Sequence, residues 1–222
     1  MTPATPTLLK IDFVSDIVCP WCAIGLAALA QAAERLAGQV RLDWHFQPFE
    51  LNPGMGPEGE DLFEHLAAKY GSTPEQLRQM HAQIGARGAA LGFTFSERRT
   101  RIYNTFDAHR LLHWLEVEGT GEQRLALQRA LFASYFTDGE NPGEHAVLLR
   151  LVARLGLDEA RARAVLQSQE YTDAVRQQQA FYQGQGIHSV PAVIINERHL
   201  IQGGQPVEVF EQALRQIAAQ QA

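Results

Sequence analysis

The sequence predicts an α/β fold in which the two ends of the chain form one sheet and the middle is a helical insertion. The N-terminal part has the pattern strand, helix, strand, and the C-terminal part has the pattern helix, β-hairpin, helix. Between them, about a hundred residues show mainly helical patterns. We therefore expect residues 1–57 and 166–222 to form one domain and residues 58–165 to be a helical insertion domain.

The N-terminal strands flank a single helix. The first strand is an apolar run from Leu8 to Val18, and the second, from Val40 to Phe46, alternates apolar and polar residues. Between them, apolar residues recur at helical spacing from Ala23 to Leu36. This order predicts a parallel βαβ unit. Open α/β sheets place their active sites at the carboxyl ends of such strands.

The insertion begins after a stretch rich in proline and glycine, residues 52–59. Within it, Thr73-Pro74-Glu75-Gln76 has the pattern of a capping box with proline at the first helical position. The C-terminal elements are predicted as a helix from about Tyr171 to Tyr182, a hairpin of Ala192–Ile195 and Leu200–Ile201, and a closing helix from Pro206 to Ala219.

The only two cysteines, Cys19 and Cys22, enclose Pro20-Trp21 where the first strand meets the first helix. A disulfide between cysteines at this spacing requires the chain to curl into a helical turn. Free N–H groups and the helix dipole stabilise a thiolate at a helix N-terminus. We expect thiol–disulfide exchange, with Cys19 as an accessible attacking thiolate and Cys22 as the shielded resolving thiol.

Other roles for the cysteines fit less well. A zinc site needs four ligands, and neither a second cysteine pair nor a suitably spaced histidine accompanies the motif. A structural disulfide across so short a loop would restrain little of the unfolded chain. His109 and His113 share a helix face, but the residues between them lack the glutamate of a metalloprotease helix. No metal site is predicted.

Charge and apolar patterns indicate which partners and which cell compartment to expect. The net charge is −6 without a basic cluster, so no nucleic-acid partner is expected. No apolar stretch approaches the ~18 residues of a membrane span, so no membrane partner is expected. The first ten residues lack a signal-peptide pattern, which favours the cytoplasm, where a dithiol cycles between redox states. No pattern indicates an oligomeric state.

Three segments resemble the thioredoxin-fold DsbA family: Ser15 to Cys22, Gly186 to Pro191 and Gly203 to Pro206. Asn104 to Arg110 is similar to the helical-insert motif of its FrnE-like branch. The resemblance implies a thioredoxin fold with a helical insertion (DsbA-like). It also implies a thiol–disulfide oxidoreductase or isomerase acting on protein or small-molecule disulfides. The redox-active cysteines then need no further cofactor, and glutathione is a candidate co-substrate. Pro-Trp between the cysteines differs from periplasmic DsbA, so an equal oxidising strength is not implied.

The resemblance also implies which residues contact the substrate. Pro191 is expected to follow a cis peptide bond and to face the cysteines, with the backbone of Val190 free to pair with an extended substrate. Pro20 is expected at the substrate surface. From its place between the two cysteines, Trp21 is either ordinary apolar packing or exposed beside the sulfurs, where it offers contact to the substrate. Asn104 and His109 are expected to be polar lining above the cysteines.

Some interpretations stay open at this point. Asp16 is interpreted first as a helix-start carboxylate, with proton transfer to Cys22 as the alternative. His188 is either close to the sulfurs or a solvated loop residue.

Two other classes of function compete with thiol–disulfide exchange. One is a glutathione-dependent isomerase or transferase of the kappa-class or 2-hydroxychromene-2-carboxylate isomerase type, which typically has serine in place of Cys19. The other is a chaperone-like module that uses an apolar groove near Trp21.

Overall fold

The computed structural model describes residues 5–221. Its strands are β1 (Thr7–Ser15), β2 (Val40–Pro48), β3 (Glu60–Asp61), β4 (Arg101–Ile102), β5 (Ala192–Ile195) and β6 (His199–Gln202). Its α-helices are α1 (Pro20–Arg35), α2 (Leu62–Tyr70), α3 (Pro74–Ala90), α4 (Phe106–Glu118), α5 (Gly121–Ala133), α6 (His145–Arg154), α7 (Glu159–Leu166), α8 (Thr172–Gly184) and α9 (Val207–Ala219). A π-helical segment, Ser134–Asp138, continues α5.

One four-stranded sheet joins the two ends of the chain, in the order β2-β1-β5-β6. β1 pairs with β2 in parallel, from Thr7 opposite Val40 to Ser15 opposite Pro48. The hairpin of β5 and β6 adds to the other side of β1, where β5 runs antiparallel to it. The predicted parallel βαβ unit and the C-terminal hairpin are therefore confirmed.

The two faces of the sheet differ in what covers them. Leu9, Ile11 and Phe13 of β1 are fully buried in the main core, and α1 and α9 pack against each other beside it. Asp12 and Val14 alternate with them and so point to the opposite face. There Val14 packs in a smaller cluster with Tyr182 of α8. The active-site helix α1 is thus supported by a continuous apolar core.

The insertion is helical apart from one short strand pair. β3 and β4 pair antiparallel, so Glu60 lies opposite Ile102. Helices α4 and α5 pack directly on β2. Because these helices of the insertion pack on a strand of the sheet, the domain boundaries at 57/58 and 165/166 remain a prediction. In the described part of the chain, every helix is too short or too polar to cross a membrane.

Candidate active site

The cysteine motif begins where β1 turns into α1. β1 ends at Ser15, three residues before the predicted end, because Asp16 starts a turn: its Oδ1 accepts from the Val18 amide at 3.4 Å and its carbonyl accepts from the Cys19 amide at 3.1 Å. α1 begins at Pro20, earlier than the predicted Ala23, with Cys19 as the N-cap residue. The first sulfur therefore sits at the helix N-terminus, as the motif predicts.

Both sulfurs are covered. Cys22 is 0% exposed, as expected for a resolving thiol, but Cys19 is only 4% exposed, so the prediction of an accessible Cys19 is wrong for this conformation. The cause is the loop before β5, because the Cys19 thiol donates to the Val190 carbonyl at 3.6 Å. A substrate must displace this contact before it reaches the sulfur.

The two thiols have different electrostatic surroundings. Burial raises the pKa of the Cys22 thiol well above its usual range, and hydrogen bonding to Cys19 and repulsion from its charge add to the rise. When Cys19 is bound in a mixed disulfide, its charge is gone, so the pKa of Cys22 falls relative to the dithiol form. The dithiol form therefore favours the protonated Cys22 thiol, and reaction of Cys19 removes part of the cause, whereas burial remains.

Glycines allow the Pro191 loop to approach α1 closely. The Val190–Pro191 bond is cis. A Cβ added at Gly25 of α1 would lie 3.1 Å from Pro191 Cγ, and one added at Gly204 would lie 2.9 Å from the Trp21 carbonyl oxygen. The Gly203-Gly204 motif thus acts by packing against the cysteine motif. Gly25, which the sequence analysis missed, has no distinguishing signal inside a helical pattern.

Asp16 and His109 form a buried pair behind the cysteines, 1% and 2% exposed. The Oδ2 of Asp16 accepts from the Leu51 amide at 2.7 Å. His109 Nε2 lies 3.1 Å from the Phe49 carbonyl and 3.7 Å from Asp16 Oδ1. Asp16 therefore binds amides of the turn and of the loop after β2, whereas no side chain caps α1. The interpretation of Asp16 as a helix-start carboxylate is wrong, because Cys19 is the N-cap residue of α1 and Asp16 lies in the turn before it.

The other predicted polar residues have separate partners. Asn104 Nδ2 donates to the Met55 carbonyl at 3.2 Å, and its Oδ1 accepts from the Phe106 amide at 2.9 Å. It fixes the start of α4 and lines a small cavity that lacks the cysteines. His113 lies 3.2 Å from Gln178 Oε1, away from the partners of His109. His188 is exposed in the loop before Val190.

The insertion contributes two residues that the sequence analysis missed. Arg87 of α3 lies over the half-buried Trp21, with its Cζ 5.1 Å from the ring centroid. Tyr70 ends α2, and burial, followed by the negative charge of Cys19, raises its pKa. Neither residue belongs to a recognisable motif, since exposed arginines and tyrosines are common on helices. Among residues 5–221, no three His, Cys, Asp or Glu side chains are grouped so that they could hold a metal ion.

Comparison with known proteins agrees with this geometry. The uncharacterized protein YwbO of Bacillus subtilis (strain 168) is 26% identical over 207 residues, or 93% of this chain and 96% of that protein. The crystal structure of a probable DsbA oxidoreductase from Streptomyces coelicolor matches with a TM-score of 0.86 and 32% identity, covering 96% of this chain and 91% of the other.

Two more distant structures share the fold. A 2-hydroxychromene-2-carboxylate isomerase has a TM-score of 0.71 at 15% identity, covering 96% of this chain and 97% of that one. The cytosolic disulfide reductase DsbM from Pseudomonas aeruginosa, solved with GSH, has a TM-score of 0.62 at 19% identity, covering 95% and 99%. The family model for the DSBA-like thioredoxin domain matches residues 10–215. The chain therefore belongs to the DSBA-like thioredoxin domain family.

Proposed function

We propose that the protein is a dithiol–disulfide oxidoreductase in which Cys19 attacks and Cys22 resolves. The observation that supports this most directly is the arrangement of the two thiols at the N-terminus of α1. Cys19 is the N-cap residue beside the Pro191 loop, and Cys22 is fully buried one turn later. A resolving thiol needs this shielded position, because it must meet Cys19 and exclude outside thiols.

The exchange proceeds in two steps. The Cys19 thiolate attacks one sulfur of a substrate disulfide, whose S–S bond breaks as a Cys19–substrate disulfide forms, and the other half leaves as a thiolate. Cys22 then gives up its proton and attacks the Cys19 sulfur, which releases the second half as a thiolate. The substrate gains two electrons, and the protein is left with a Cys19–Cys22 disulfide. Oxidation of a dithiol substrate follows the same steps in reverse.

The Val190 backbone and the motif surface position the substrate. Once the thiol of Cys19 has reacted, it no longer donates to the Val190 carbonyl, which becomes free to pair with an extended segment of a peptide substrate. Pro20 and Trp21 are partly exposed beside the sulfur and provide apolar contact. Asn104 and His109 act indirectly in this proposal, by holding the start of α4 and the loop after β2.

Glutathione is the proposed small thiol that closes the cycle. Two glutathione molecules would reduce the Cys19–Cys22 disulfide and leave as glutathione disulfide. The fold shared with DsbM, which was solved with GSH and is described as cytosolic, supports this choice and a cytoplasmic location. No cofactor is proposed beyond the cysteine pair. Isomerase activity and membership of the FrnE-like branch remain predictions, the latter resting on Asn104 to Arg110.

The alternative function is a glutathione-dependent isomerase, as the shared fold with 2-hydroxychromene-2-carboxylate isomerase suggests. Such chemistry uses bound glutathione and has no need for Cys22. The buried Cys22 next to Cys19 favours the dithiol reaction instead.

Single cysteine variants separate the functions. With a model peptide disulfide, Cys22→Ser is expected to accumulate a covalent Cys19–peptide adduct and to lose net turnover. The matched variant Cys19→Ser is expected to form no adduct, because Cys22 is buried. Mass spectrometry of the quenched reaction detects the adduct. Full turnover by Cys22→Ser would favour the isomerase, and an adduct on Cys22 in Cys19→Ser would reverse the assigned roles.

A further inference from the structure

Arg87 of the insertion is held beside the cysteine motif. Its guanidinium carbon lies 5.1 Å from the centroid of the Trp21 ring, within the range of a cation–π contact. The helix that presents it is fixed to the active-site helix, because α3 packs on α1 and Gln31 of α1 donates to the Leu91 carbonyl at 3.0 Å. The position of Arg87 over Trp21 is therefore a property of the packed helices.

The N–H donors of Arg87 have no carboxylate partner in the described chain. The arginines that form ion pairs there are Arg35, Arg78, Arg110, Arg124, Arg150, Arg161, Arg163, Arg176 and Arg215. Arg87 is exposed and absent from every one of these pairs. Stacking on an indole uses the face of the guanidinium, so the N–H groups at its edge remain available to a planar carboxylate.

We propose that Arg87 forms a subsite for a substrate carboxylate beside the cysteine motif, so that the protein prefers disulfides with a carboxylate a few bonds from the sulfur. The inference rests on the proposed function, since it assigns a substrate class to the same site. The net charge of −6 repels acidic substrates in general, so a free guanidinium near the sulfur has a selective local effect. Glutathione disulfide and an acidic residue beside a peptide half-cystine both offer this chemistry.

The test compares disulfides that differ in charge. The second-order rate of oxidation of the reduced protein is measured with glutathione disulfide, neutral hydroxyethyl disulfide and cationic cystamine. Two peptide disulfides, with Glu or Gln next to the half-cystine, form the protein arm. Arg87→Gln is expected to slow the acidic disulfides about tenfold and to leave the neutral one unchanged, as expected for loss of a charge-assisted contact.

The control is Arg78→Gln, which makes the same change in charge on the same helix, at an arginine paired with Glu75. It is expected to leave all rates unchanged. Arg87→Lys keeps the charge without the planar fork and is expected to be intermediate, which provides a second variant if Arg87→Gln unfolds. If Arg87→Gln slows the reaction with glutathione disulfide alone, or with the Glu peptide alone, the result supports the subsite and shows which molecule supplies the carboxylate.

Two other outcomes would count against different claims. If the ratio of acidic to neutral rates is the same in wild type, Arg87→Gln and Arg87→Lys, the subsite is wrong while the dithiol reaction stands. If the wild-type protein reacts with none of the disulfides, the proposed function itself is wrong.

Discussion

His109 Nε2 lies 3.7 Å from Asp16 Oδ1, and both side chains are buried behind the cysteine motif. The pair joins the insertion to the thioredoxin-like sheet, because His109 belongs to α4 and Asp16 follows β1. The charge of Asp16 is also among the causes that raise the pKa of Cys22, so the carboxylate acts on the resolving thiol. The Asp16 carboxylate is therefore a candidate acceptor for the Cys22 proton in the second step of exchange.

We expect Asp16→Asn to slow the second step of exchange. Asparagine keeps the shape but cannot accept the Cys22 proton, and loss of a general base typically costs at least about a hundredfold. Quenched-flow measurement of the mixed-disulfide lifetime checks this. Asp12→Asn is the control, since Asp12 is an equally buried carboxylate on β1 that pairs with Gln47 and Lys10. Faster resolution in Asp16→Asn would show that the carboxylate only suppresses ionisation of Cys22 by its charge.

The contact between Gly25 and Pro191 predicts a loss of activity from a small substitution. An added methyl at Gly25 would be 3.1 Å from Pro191 Cγ and 3.4 Å from the Gly204 Cα, so the Pro191 side chain must shift by a few tenths of an ångström. We expect Gly25→Ala to slow exchange and to lower the free energy of unfolding, since overpacking typically costs about 1–3 kcal/mol. Stopped-flow exchange and urea unfolding measure the two effects.

Gly85 provides the matched comparison inside a helix. A Cβ there meets no atom within 4 Å, so Gly85→Ala is expected to raise the free energy of unfolding by about 0.5–1 kcal/mol and to leave exchange unchanged. If Gly25→Ala and Gly85→Ala change the exchange rate and the free energy of unfolding alike, the Pro191 loop accommodates the added methyl without cost.

Arg110 is predicted to hold the end of α7 and the segment that follows it against α4. Its buried guanidinium donates to the carbonyls of Val165, Ser168 and Glu170 and pairs with Asp107 at 2.8 Å. Arg110→Met would leave these acceptors without a donor, and we expect the free energy of unfolding to fall by about 3–5 kcal/mol.

Chemical denaturation measures this loss. The control is Arg163→Met, which removes an exposed pair with Glu159 one helical turn away and is expected to change stability by less than about 0.5 kcal/mol. A similar small effect for Arg110→Met would mean that water replaces the guanidinium at the end of α7.

His45 is predicted to make stability depend on pH. Its hydrogen bond to Glu116 of α4, helped by one to Asp43, raises the imidazole pKa despite burial. A raised folded pKa contributes stability that is complete below the unfolded value of about 6.5 and is lost as pH rises through the folded value. His45→Gln should therefore lower the free energy of unfolding at about pH 5.5, where the imidazole is charged, and leave it unchanged at about pH 8.5.

His81 supplies a comparison of opposite sign. Burial, with the charge of Arg99 adding to it, lowers its pKa, so its contribution is present above the unfolded value and is lost as pH falls. The free energy of unfolding is measured by urea titration at about pH 5.5 and about pH 8.5. His45→Gln and His81→Gln should change the difference between these two values in opposite directions. Shifts of the same sign would contradict one of the two assignments, and the sign would show which one.

Local sequence patterns predicted the fold and the place of the cysteine motif at the start of α1. The parallel pairing of β1 and β2 follows from periodicity and from the order of the elements. The burial of Cys19 could not be predicted in this way, because its thiol is covered by Val190, which lies 171 residues away along the chain. Asn104 was identified by its motif, yet its partner Met55 is set by how the insertion packs. Arg87 depends on the approach of α3 to α1, for which the sequence has no local signal.

β1 pairs with β2 near the start of the chain and with β5 near its end, and this has a consequence for synthesis on the ribosome. β1 can pair with β2 early, but its other edge stays open until β5, the fifth strand, has emerged. The Val190 carbonyl that covers Cys19 also arrives only then. Throughout translation of the insertion, a nascent chain therefore lacks the cover over Cys19 beside an open strand edge, and the Cys19 thiol is covered only when the last quarter of the chain is being made.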